Sequence, residues 1–406
     1  MDNRFPKLRL LEYKPLLYNG QPFIYLRDPL QLSDKTILVP QPLAPVLAYC
    51  DGSRDIGAIS AMIAIRYGVQ ISINVIDGLV EVLDKAFLLE NQRFGEKQQE
   101  ALEAYRQASF RPSCCAGQSY PDDRTALMEL FANATPFDAP IGAHPHTRAV
   151  ISPHIDYTRG AEIYGRVWQA ASQAIQNADV IVIFGTDHAG NDLITLTCQN
   201  YATPLGVLPT DVQTVQALAN VLGEEAVFKG ELRHASEHSI ELAAAWCQYA
   251  WLQGNAEGKD DFPQLIPILT GDISDPGRIG QGMEAIEQLV QTLGNSLSGK
   301  RVIYVAAADL AHVGPAFDGA PVDDAARQVL EAADRELLSL ICNGDAQGFL
   351  SAVQRVQNRN NICGVTPIYL ALRLVQPSQG ISVDYSLCPA DENHTSLVSV
   401  CGIILE

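Results

Sequence analysis

The fold of this chain is decided by the stretch ADVIVIFGTDHAG at residues 178–190, in which a run of β-branched residues leads into Asp187 and His188. Three further stretches follow the same pattern: RAVISPHIDYTRG at 148–160, QLIPILTGDIS at 264–274 and RVIYVAAADLAHVG at 301–314. Amphipathic helical patterns lie between them, at 161–176, 211–222, 239–253, 278–293 and 323–342. Alternating strands and helices predict an α/β fold with a mainly parallel sheet and helices on both faces.

Polar side chains follow each of the four predicted strands. In a parallel sheet the carboxyl ends of the strands meet at one edge, where ligands bind. The residues that this rule places at the edge are His154, Asp156, Asp187, His188, Asp272, Asp309 and His312. Imidazole and carboxylate groups from distant segments favour a divalent transition metal over a structural zinc, whose four ligands are usually close in sequence. The sequence therefore predicts a metal site at this edge.

Composition and charge exclude several classes of function. The 406 residues are 47% hydrophobic and carry a net charge of −19, which disfavours binding to nucleic acid. No apolar run reaches the roughly 18 residues that a membrane-spanning helix needs, and no signal-peptide pattern is present, so we expect a cytoplasmic protein without membrane attachment. The nine cysteines include no CxxC pair, and the adjacent Cys114 and Cys115 are expected in an ordinary loop or a buried position.

The first 92 residues have a different pattern from the rest. Predicted strands in FIYLRDPL and KTILVP precede predicted helices at 43–50, 55–67 and 72–85 and a short strand, AFLLE. This order is typical of a winged helix, so we predict a winged-helix-like domain at 1–92, a connecting helix or linker at 93–107 and the α/β domain at 108–406. Acidic residues on the third helix, Asp77, Glu81 and Asp84, disfavour DNA recognition. A helical packing or dimerisation module is the alternative.

The stretch DGSRDIGAISAMIAIRYGVQISINVIDGLVEVLDKAFLLEN at 51–91 resembles PqqD-like domains. Such domains capture precursor peptides by adding a strand to their sheet. The resemblance implies a module that binds a peptide or a partner protein, with KTILVP as the open edge strand and helix 72–85 as the adjoining wall. Packing against the rest of the chain is the alternative use of this surface.

Seven motifs of the later part of the chain occur together. They are AGQSYPDD at 116–123, SPHIDYTRG at 152–160, FGTDHAG at 184–190, YATPLG at 201–206, EHSIEL at 237–242, ADLAHVG at 308–314 and NICGVTPI at 361–368. In this order and spacing they resemble the Memo family, whose bacterial and archaeal members are also called AmmeMemoRadiSam system protein B after a neighbouring radical SAM protein. The resemblance runs from about residue 111 to 406 and implies the fold of LigB-type class III extradiol dioxygenases.

The resemblance also implies which residues form the site. The metal ligands would be His154, His188 and Cys363, with Asp309 and His312 as catalytic residues and His312 in the position of the dioxygenase acid-base histidine. Where the dioxygenases have a glutamate as third ligand, this chain has Cys363. Further pocket candidates are Asp156, Asp187, Glu237, His238 and His394. An alternative interpretation of Glu237 and His238 is a helix N-terminal cap, with Ser236 as the capping residue.

The expected function is a metal-dependent redox role with an ion of iron or copper, zinc being possible. Dioxygenase-like oxidoreductase activity is open, because a thiolate ligand changes the redox behaviour of iron. The alternative is a non-catalytic binding or scaffolding protein with a vestigial metal pocket. The expected partner is a peptide or a protein of a radical SAM system. The substrate, the native metal and the oligomeric state stay open.

Overall fold

A computed structural model describes residues 4–33, 35–135, 144–255, 262–274, 279–377 and 379–406. The chain divides into two compact units, Met1–Ala108 and Ser109–Glu406. The segment 93–107, expected as a connecting helix or linker, is helical and belongs to the first unit. Among the helices of the described residues, none is both long and apolar enough to cross a membrane.

The first unit combines a small antiparallel sheet with helices. Its elements are β1 Glu12–Tyr18, β2 Gln21–Arg27, β3 Ile37–Pro40, α1 Ala44–Tyr49, α2 Ile56–Tyr67, α3 Ile73–Lys85 and α4 Gln92–Gln107. The strand order is β1-β2-β3, so β3 is an edge strand of this sheet. Asp55 and Ser72 accept hydrogen bonds from the first turns of α2 and α3, as good N-cap residues do.

Two features of the first unit differ from the sequence prediction. Strand β1 was not predicted, because all seven of its residues are exposed and it therefore lacks the alternation of buried and exposed positions. The predicted strand AFLLE is reduced to a single bridge between Leu89 and Leu8. The core is formed mainly by the helices and β3, with Val39, Ile59 and Ile76 fully or almost fully buried.

The second unit is built around an eight-stranded sheet. Its strands, with a separate β7-β8 hairpin, are β4 Ala149–Ser152, β5 Val180–Thr186, β6 Ile194–Leu196, β7 Tyr201–Thr203, β8 Gly206–Leu208, β9 Gln264–Thr270, β10 Val302–Ala307, β11 His312–Val313, β12 Gly380–Pro389 and β13 Leu397–Leu405. Its helices are α5 Arg124–Ala134, α6 Tyr157–Gln176, α7 Val212–Leu222, α8 Glu224–Phe228, α9 Ser239–Leu252, α10 Ile279–Ser296, α11 Asp324–Cys342, α12 Ala346–Arg355 and α13 Val365–Val375.

The sheet is mixed, with a parallel centre. The strand order is β11-β13-β4-β10-β5-β9-β6, and β12 also pairs with β13. The four strands predicted from their apolar runs, β4, β10, β5 and β9, are adjacent and parallel. Strands β6 and β13 pair antiparallel on the two sides. The α/β fold expected from the sequence is confirmed, and the antiparallel flanks are an addition to it.

Alternate residues of β5 face opposite helical layers. Ile181 and Ile183 pack in the core cluster that contains Trp246 of α9, whereas Val182 and Phe184 pack with Tyr369 of α13. A central strand that is covered on both faces has to be apolar at every position, which explains the continuous VIVIF run. The polar residues that follow this run are consequently the first that can face solvent or a ligand.

Candidate metal centre

Three imidazoles from separate segments meet beyond the carboxyl ends of the parallel strands. His154 follows β4, His188 follows β5 and His238 directly precedes α9. Each offers a ring nitrogen, and these three nitrogens lie within 4.8 Å of one another. The ring of His154 lies 5.1 Å from that of His188 and 5.6 Å from that of His238, edge to face in both cases. Such a spacing of nitrogens is compatible with a shared metal ion.

His154 forms the buried floor of this cluster. Its Nδ1 lies 2.8 Å from the carbonyl oxygen of Ala307, to which it donates, so Nε2 is the nitrogen that faces the cluster. The backbone N–H of His154 donates to Oδ1 of Asp309 at 2.9 Å, which fixes the loop after β4 to the end of β10. Burial lowers the pKa of His154 to about 4, so the ring is neutral at physiological pH and able to bind a metal.

One carboxylate orients the other two imidazoles. Glu237 lies with Oε2 3.0 Å from Nδ1 of His188 and with Oε1 3.1 Å from Nδ1 of His238. Burial disfavours charge on both partners, but the ion pair outweighs it: the pKa of His238 rises to about 9 and that of Glu237 falls well below its usual value. With both Nδ1 atoms donating to Glu237, the Nε2 atoms remain for a metal, an arrangement typical of metal-binding histidines.

A thiol and a second carboxylate lie next to Nε2 of His154. The Sγ atom of Cys363 is 3.2 Å from this nitrogen, and Oδ2 of Asp309 is 3.7 Å from it. Cys363 precedes α13, and Gly364 after it packs against Ala308 and Asp309. Burial raises the pKa of Cys363 well above its usual value, so without a metal this residue is a thiol.

His312, the first residue of β11, interacts electrostatically with Asp309 and His188. Its Nδ1 is within 3.2 Å of the carbonyl oxygens of Leu310 and Asn361, which leaves Nε2 without a backbone partner. Burial lowers the pKa of His312, so its neutral ring can accept a proton at Nε2. The same ring contacts Phe317 edge to face and lines a cavity of about 470 Å³ whose wall also includes Leu330 and Arg359.

Other residues expected at the site have structural contacts instead. Asp156 caps α6 and binds Arg159 through Nε at 2.6 Å. Asp272 accepts from the backbone N–H of Ser274 in a local turn. His394 is exposed in a turn before β13, at a positive φ of 56°, and does not belong to the three-imidazole cluster.

Asp187 is buried beside the cluster. Its Oδ2 accepts from Nε of Arg233 at 2.7 Å, whereas Oδ1 has no hydrogen-bond partner. Burial raises the pKa of this carboxyl group despite the neighbouring guanidinium. Asp187 therefore supports the loop after β5 through Arg233, and it is not one of the groups that surround Nε2 of His154.

The donor set fits a transition metal. Three imidazole nitrogens, a thiol and a carboxylate combine borderline and soft ligands, which suits iron, copper or zinc and does not suit magnesium or calcium. His154, His188 and His238 would hold the ion, with Cys363 and Asp309 able to add a sulfur and an oxygen. In all three imidazoles Nδ1 donates to a carbonyl or carboxylate oxygen, as in histidines that bind a metal through Nε2.

Comparison with known proteins identifies the family of the second unit. The family model described as Memo-like protein matches residues 111–404, which include every residue of the cluster. The chain belongs to the Memo family. It is 25% identical to a MEMO1 family protein of Aquifex aeolicus, over 98% of this chain and 99% of that protein. It is 24% identical to a MEMO1 family protein of Archaeoglobus fulgidus, over 71% of this chain and 97% of the relative.

The two relatives differ in how much of this chain they cover. The Memo match begins at Arg111, just after the first unit. The alignment with the Archaeoglobus fulgidus relative uses 71% of this chain and includes 97% of the relative. The alignment with the Aquifex aeolicus relative includes the first unit as well. A Memo domain therefore occurs both with and without an alignable equivalent of that unit.

Sequence reasoning missed the roles of two charged residues of the Memo domain. Glu237 was considered a capping or pocket residue. It accepts from the backbone N–H of Ser239 at 2.9 Å and also binds two imidazoles. Ser236 was the expected cap, but the N-cap position of α9 is His238, without a side-chain cap bond. Arg111 is completely buried and pairs with Glu241, which no local pattern indicates.

Proposed function

We propose that this Memo-family protein binds one iron or copper ion, or zinc, through His154, His188 and His238, and that it has a metal-dependent redox role related to that of class III extradiol dioxygenases. The observation that supports this proposal is the orientation of the three imidazoles. Each Nδ1 has an acceptor, and each ring offers a nitrogen that lies within 4.8 Å of a nitrogen of each of the other two rings. Histidines that serve only as core residues have no reason to converge in this way.

Different residues of the chain would have different roles at such a site. A bound iron or copper ion would supply electron transfer and polarise an oxygen ligand. Glu237 accepts from Nδ1 of two rings, which directs a metal to Nε2 once the cationic His238 has released its proton, and Asp309 fixes the loop of the third. His312 accepts or returns a proton at Nε2 at the wall of the adjoining cavity. Because this wall includes Phe317 and Leu330, the cavity suits a ligand with an apolar part.

One observation favours a second candidate function, a non-catalytic metal-binding or scaffolding protein. Cys363 stands beside Nε2 of His154, where the resemblance to dioxygenases implies a glutamate. A thiolate donor binds copper and zinc tightly and alters the redox behaviour of iron. We therefore expect little ring cleavage of catechol-type substrates under oxygen, and substantial turnover would favour the dioxygenase function.

The experiment is metal analysis of the full chain after anaerobic purification. We expect about one ion per chain, lost in His154→Ala and in His238→Ala. The matched control is His394→Ala, an exposed histidine outside the cluster, which should keep the metal. If His238→Ala keeps the same metal with the same affinity as the unchanged chain, His238 is not a ligand and the three-imidazole assignment is wrong.

We propose further that the first unit binds a peptide or a protein of a radical SAM system in the cytoplasm. The open edge strand β3 and helix α3 support a PqqD-like mode, in which an extended segment pairs with β3. The side chains of Asp77 and Glu81 are exposed on α3 and favour a basic or polar segment. All nine cysteines are free thiols, as in reducing compartments.

A pull-down tests this second proposal. The full chain is presented with the radical SAM protein of the same organism, and binding is compared with Asp77→Lys and with Glu100→Lys, an equally exposed acidic position on α4. We expect Asp77→Lys to weaken binding and Glu100→Lys to leave it unchanged. If both variants bind as tightly as the unchanged chain, and high salt does not weaken binding, then the charges of α3 do not contribute to the affinity.

A further inference from the structure

Two adjacent cysteines lie close to the metal centre. The Sγ atoms of Cys114 and Cys115 are 3.6 Å apart. Cys114 is half-buried and Cys115 is buried, so a small molecule can reach the first sulfur more easily than the second. The Sγ of Cys114 also lies 3.6 Å and 3.7 Å from the carbonyl oxygens of Ser236 and Glu237, the two residues before His238.

The backbone of this pair is fixed by one carboxylate. Oε2 of Glu241 accepts from the N–H of Cys114 at 2.7 Å, and Oε1 accepts from the N–H of Cys115 at 2.9 Å. The same two oxygens also bind Arg111 and the hydroxyl of Tyr120. Because both oxygens of Glu241 are saturated in this way, the carboxylate is a support for the cysteines and a poor metal ligand.

A buried cation distinguishes the two sulfurs. The NH2 group of Arg111 lies 3.2 Å from Sγ of Cys114. A guanidinium at this distance stabilises a thiolate, and the thiol of Cys115 can donate to the same sulfur. The hydrogen bond from Cys115 lowers the pKa of Cys114, and the same bond with burial raises the pKa of Cys115. The pair thus has the asymmetry of an attacking and a resolving cysteine.

We propose that Cys114 and Cys115 form a peroxide-reactive dithiol, in which Cys114 is the attacking sulfur and Cys115 the resolving one. The thiolate of Cys114 attacks one oxygen of hydrogen peroxide, the O–O bond breaks and hydroxide leaves, which gives a sulfenic acid. The sulfur of Cys115 then attacks the sulfenic sulfur, an S–S bond forms, and the departing hydroxide takes the thiol proton as water. The hydroxide of the first step takes up the proton that Cys114 lost on becoming a thiolate, so that in sum two thiols and one peroxide give one disulfide and two waters.

The product would be easy to reduce. Adjacent residues have α-carbons about 3.8 Å apart, which is closer than the usual separation of disulfide-bonded residues. A disulfide between neighbours is therefore strained, and strained disulfides have the higher reduction potentials of regulatory or catalytic bonds. An external dithiol would restore the two cysteines, so the pair suits a reversible reaction.

Mass spectrometry of the full, chelator-treated chain tests this proposal. The chain is exposed to one equivalent of hydrogen peroxide, alkylated and cleaved with trypsin, which leaves the Arg111–Pro112 bond intact. The peptide 107–124 contains Cys114 and Cys115 and none of the other cysteines. We expect it to escape alkylation with a mass about 2 Da below that of the unmodified dithiol peptide, and to take up two alkyl groups once dithiothreitol has reduced it. If other cysteines are oxidised while this peptide stays reduced, the proposal is wrong.

Two variants assign the roles of the sulfurs. Cys115→Ser should halt the reaction at a sulfenic acid on Cys114, which dimedone traps. Cys114→Ser should slow peroxide-dependent oxidation of the peptide at least about ten-fold, because it removes the activated thiolate. The control Cys342→Ser changes another half-buried cysteine and should leave the mass loss unchanged. A dimedone adduct on Cys115, or unchanged oxidation in Cys114→Ser, would overturn the assignment.

Discussion

The Sγ atom of Cys363 lies 3.2 Å from Nε2 of His154. Since Nδ1 of this ring donates to Ala307, Nε2 is an acceptor, and the thiol of Cys363 is the donor between them. A metal ion that binds Nε2 must replace this hydrogen bond. Metal binding and the loss of the thiol proton are therefore coupled at this pair.

The first prediction is that metal affinity rises with pH. Burial raises the pKa of Cys363 well above its usual value, so the thiol holds its proton at neutral pH and has to release it when sulfur binds the ion. This proton contributes about ten-fold in affinity per pH unit near neutrality, and the proton that His238 must lose, since its pKa is about 9, adds to the slope. Competition with a chromophoric chelator at several pH values measures the slope. Cys363→Ala should flatten it by about one proton, and an unchanged slope would show that sulfur is not a ligand.

The second prediction concerns the carboxylate shared by two imidazoles. Glu237→Gln replaces one acceptor oxygen by an NH2 group, which cannot accept from Nδ1 of both His188 and His238. We expect metal affinity to fall about 10- to 100-fold, as for other groups that orient metal ligands. The control is Glu224→Gln at the start of α8, and chelator competition measures both variants. Wild-type affinity in Glu237→Gln would contradict the orienting role.

The third prediction is that a methyl group on Gly364 disturbs the site. A Cβ at this position would lie 2.5 Å from Cβ of Ala308 and 2.6 Å from the carbonyl oxygen of Asp309. We expect Gly364→Ala to destabilise the second unit by about 1–3 kcal/mol and to weaken metal binding, because neither contact is a flexible side chain.

Gly294→Ala is the matched control for that change. A Cβ on Gly294 in α10 would meet nothing within 4 Å. We expect this substitution to stabilise the unit by up to about 1 kcal/mol through higher helix propensity, without an effect on metal affinity. Urea unfolding followed by tryptophan fluorescence reports on this unit, since it contains all three tryptophans. Equal stability of the two glycine variants would argue against close packing at Gly364.

The fourth prediction is acid sensitivity from the buried pair of Arg111 and Glu241. Burial disfavours the charge of Glu241, yet Arg111 and the hydrogen bonds hold the pKa of this carboxyl below its usual value. A lowered folded pKa gives stability that is present above the unfolded pKa of about 4.3 and is lost as the pH falls through the folded pKa. Urea unfolding between neutral and acidic pH should show this loss.

Glu241→Gln removes the acid-dependent contribution and leaves the buried charge of Arg111 without its carboxylate partner. We expect a loss of about 3–5 kcal/mol at neutral pH. Glu162→Gln breaks an exposed pair with Arg166 and should cost less than about 1 kcal/mol. If the two variants unfold at the same urea concentration, the buried pair does not stabilise the unit.

Much of the fold of the second unit could be predicted from sequence, for a simple reason. Strands β5 and β10 are covered on both faces, so their apolar runs are unbroken and end at the residues that face the site. The antiparallel pairing of β13 with β4 could not be predicted, because the local sequence of a strand does not indicate which distant strand will pair with it.

The site was predictable in position and less so in detail. The carboxyl ends of parallel strands brought His154 and His188 together, as the sheet geometry required. The same rule also selected Asp156 and Asp272, whose side chains bind local backbone groups, as aspartates in turns and caps commonly do. The role of Glu237 depends on a contact with His188, which lies far from it in sequence, so spacing alone could not reveal it.

The position of β13 has a consequence for biosynthesis. Every residue of Leu397–Leu405 is buried, and the strand lies directly beside β4, the strand that leads to His154. During translation β4 has no partner on that side until Leu405 has left the ribosome. The nascent chain therefore exposes an apolar strand edge for most of its synthesis, which calls for chaperone protection. If the site needs the completed sheet, metal insertion at His154 follows the synthesis of β13.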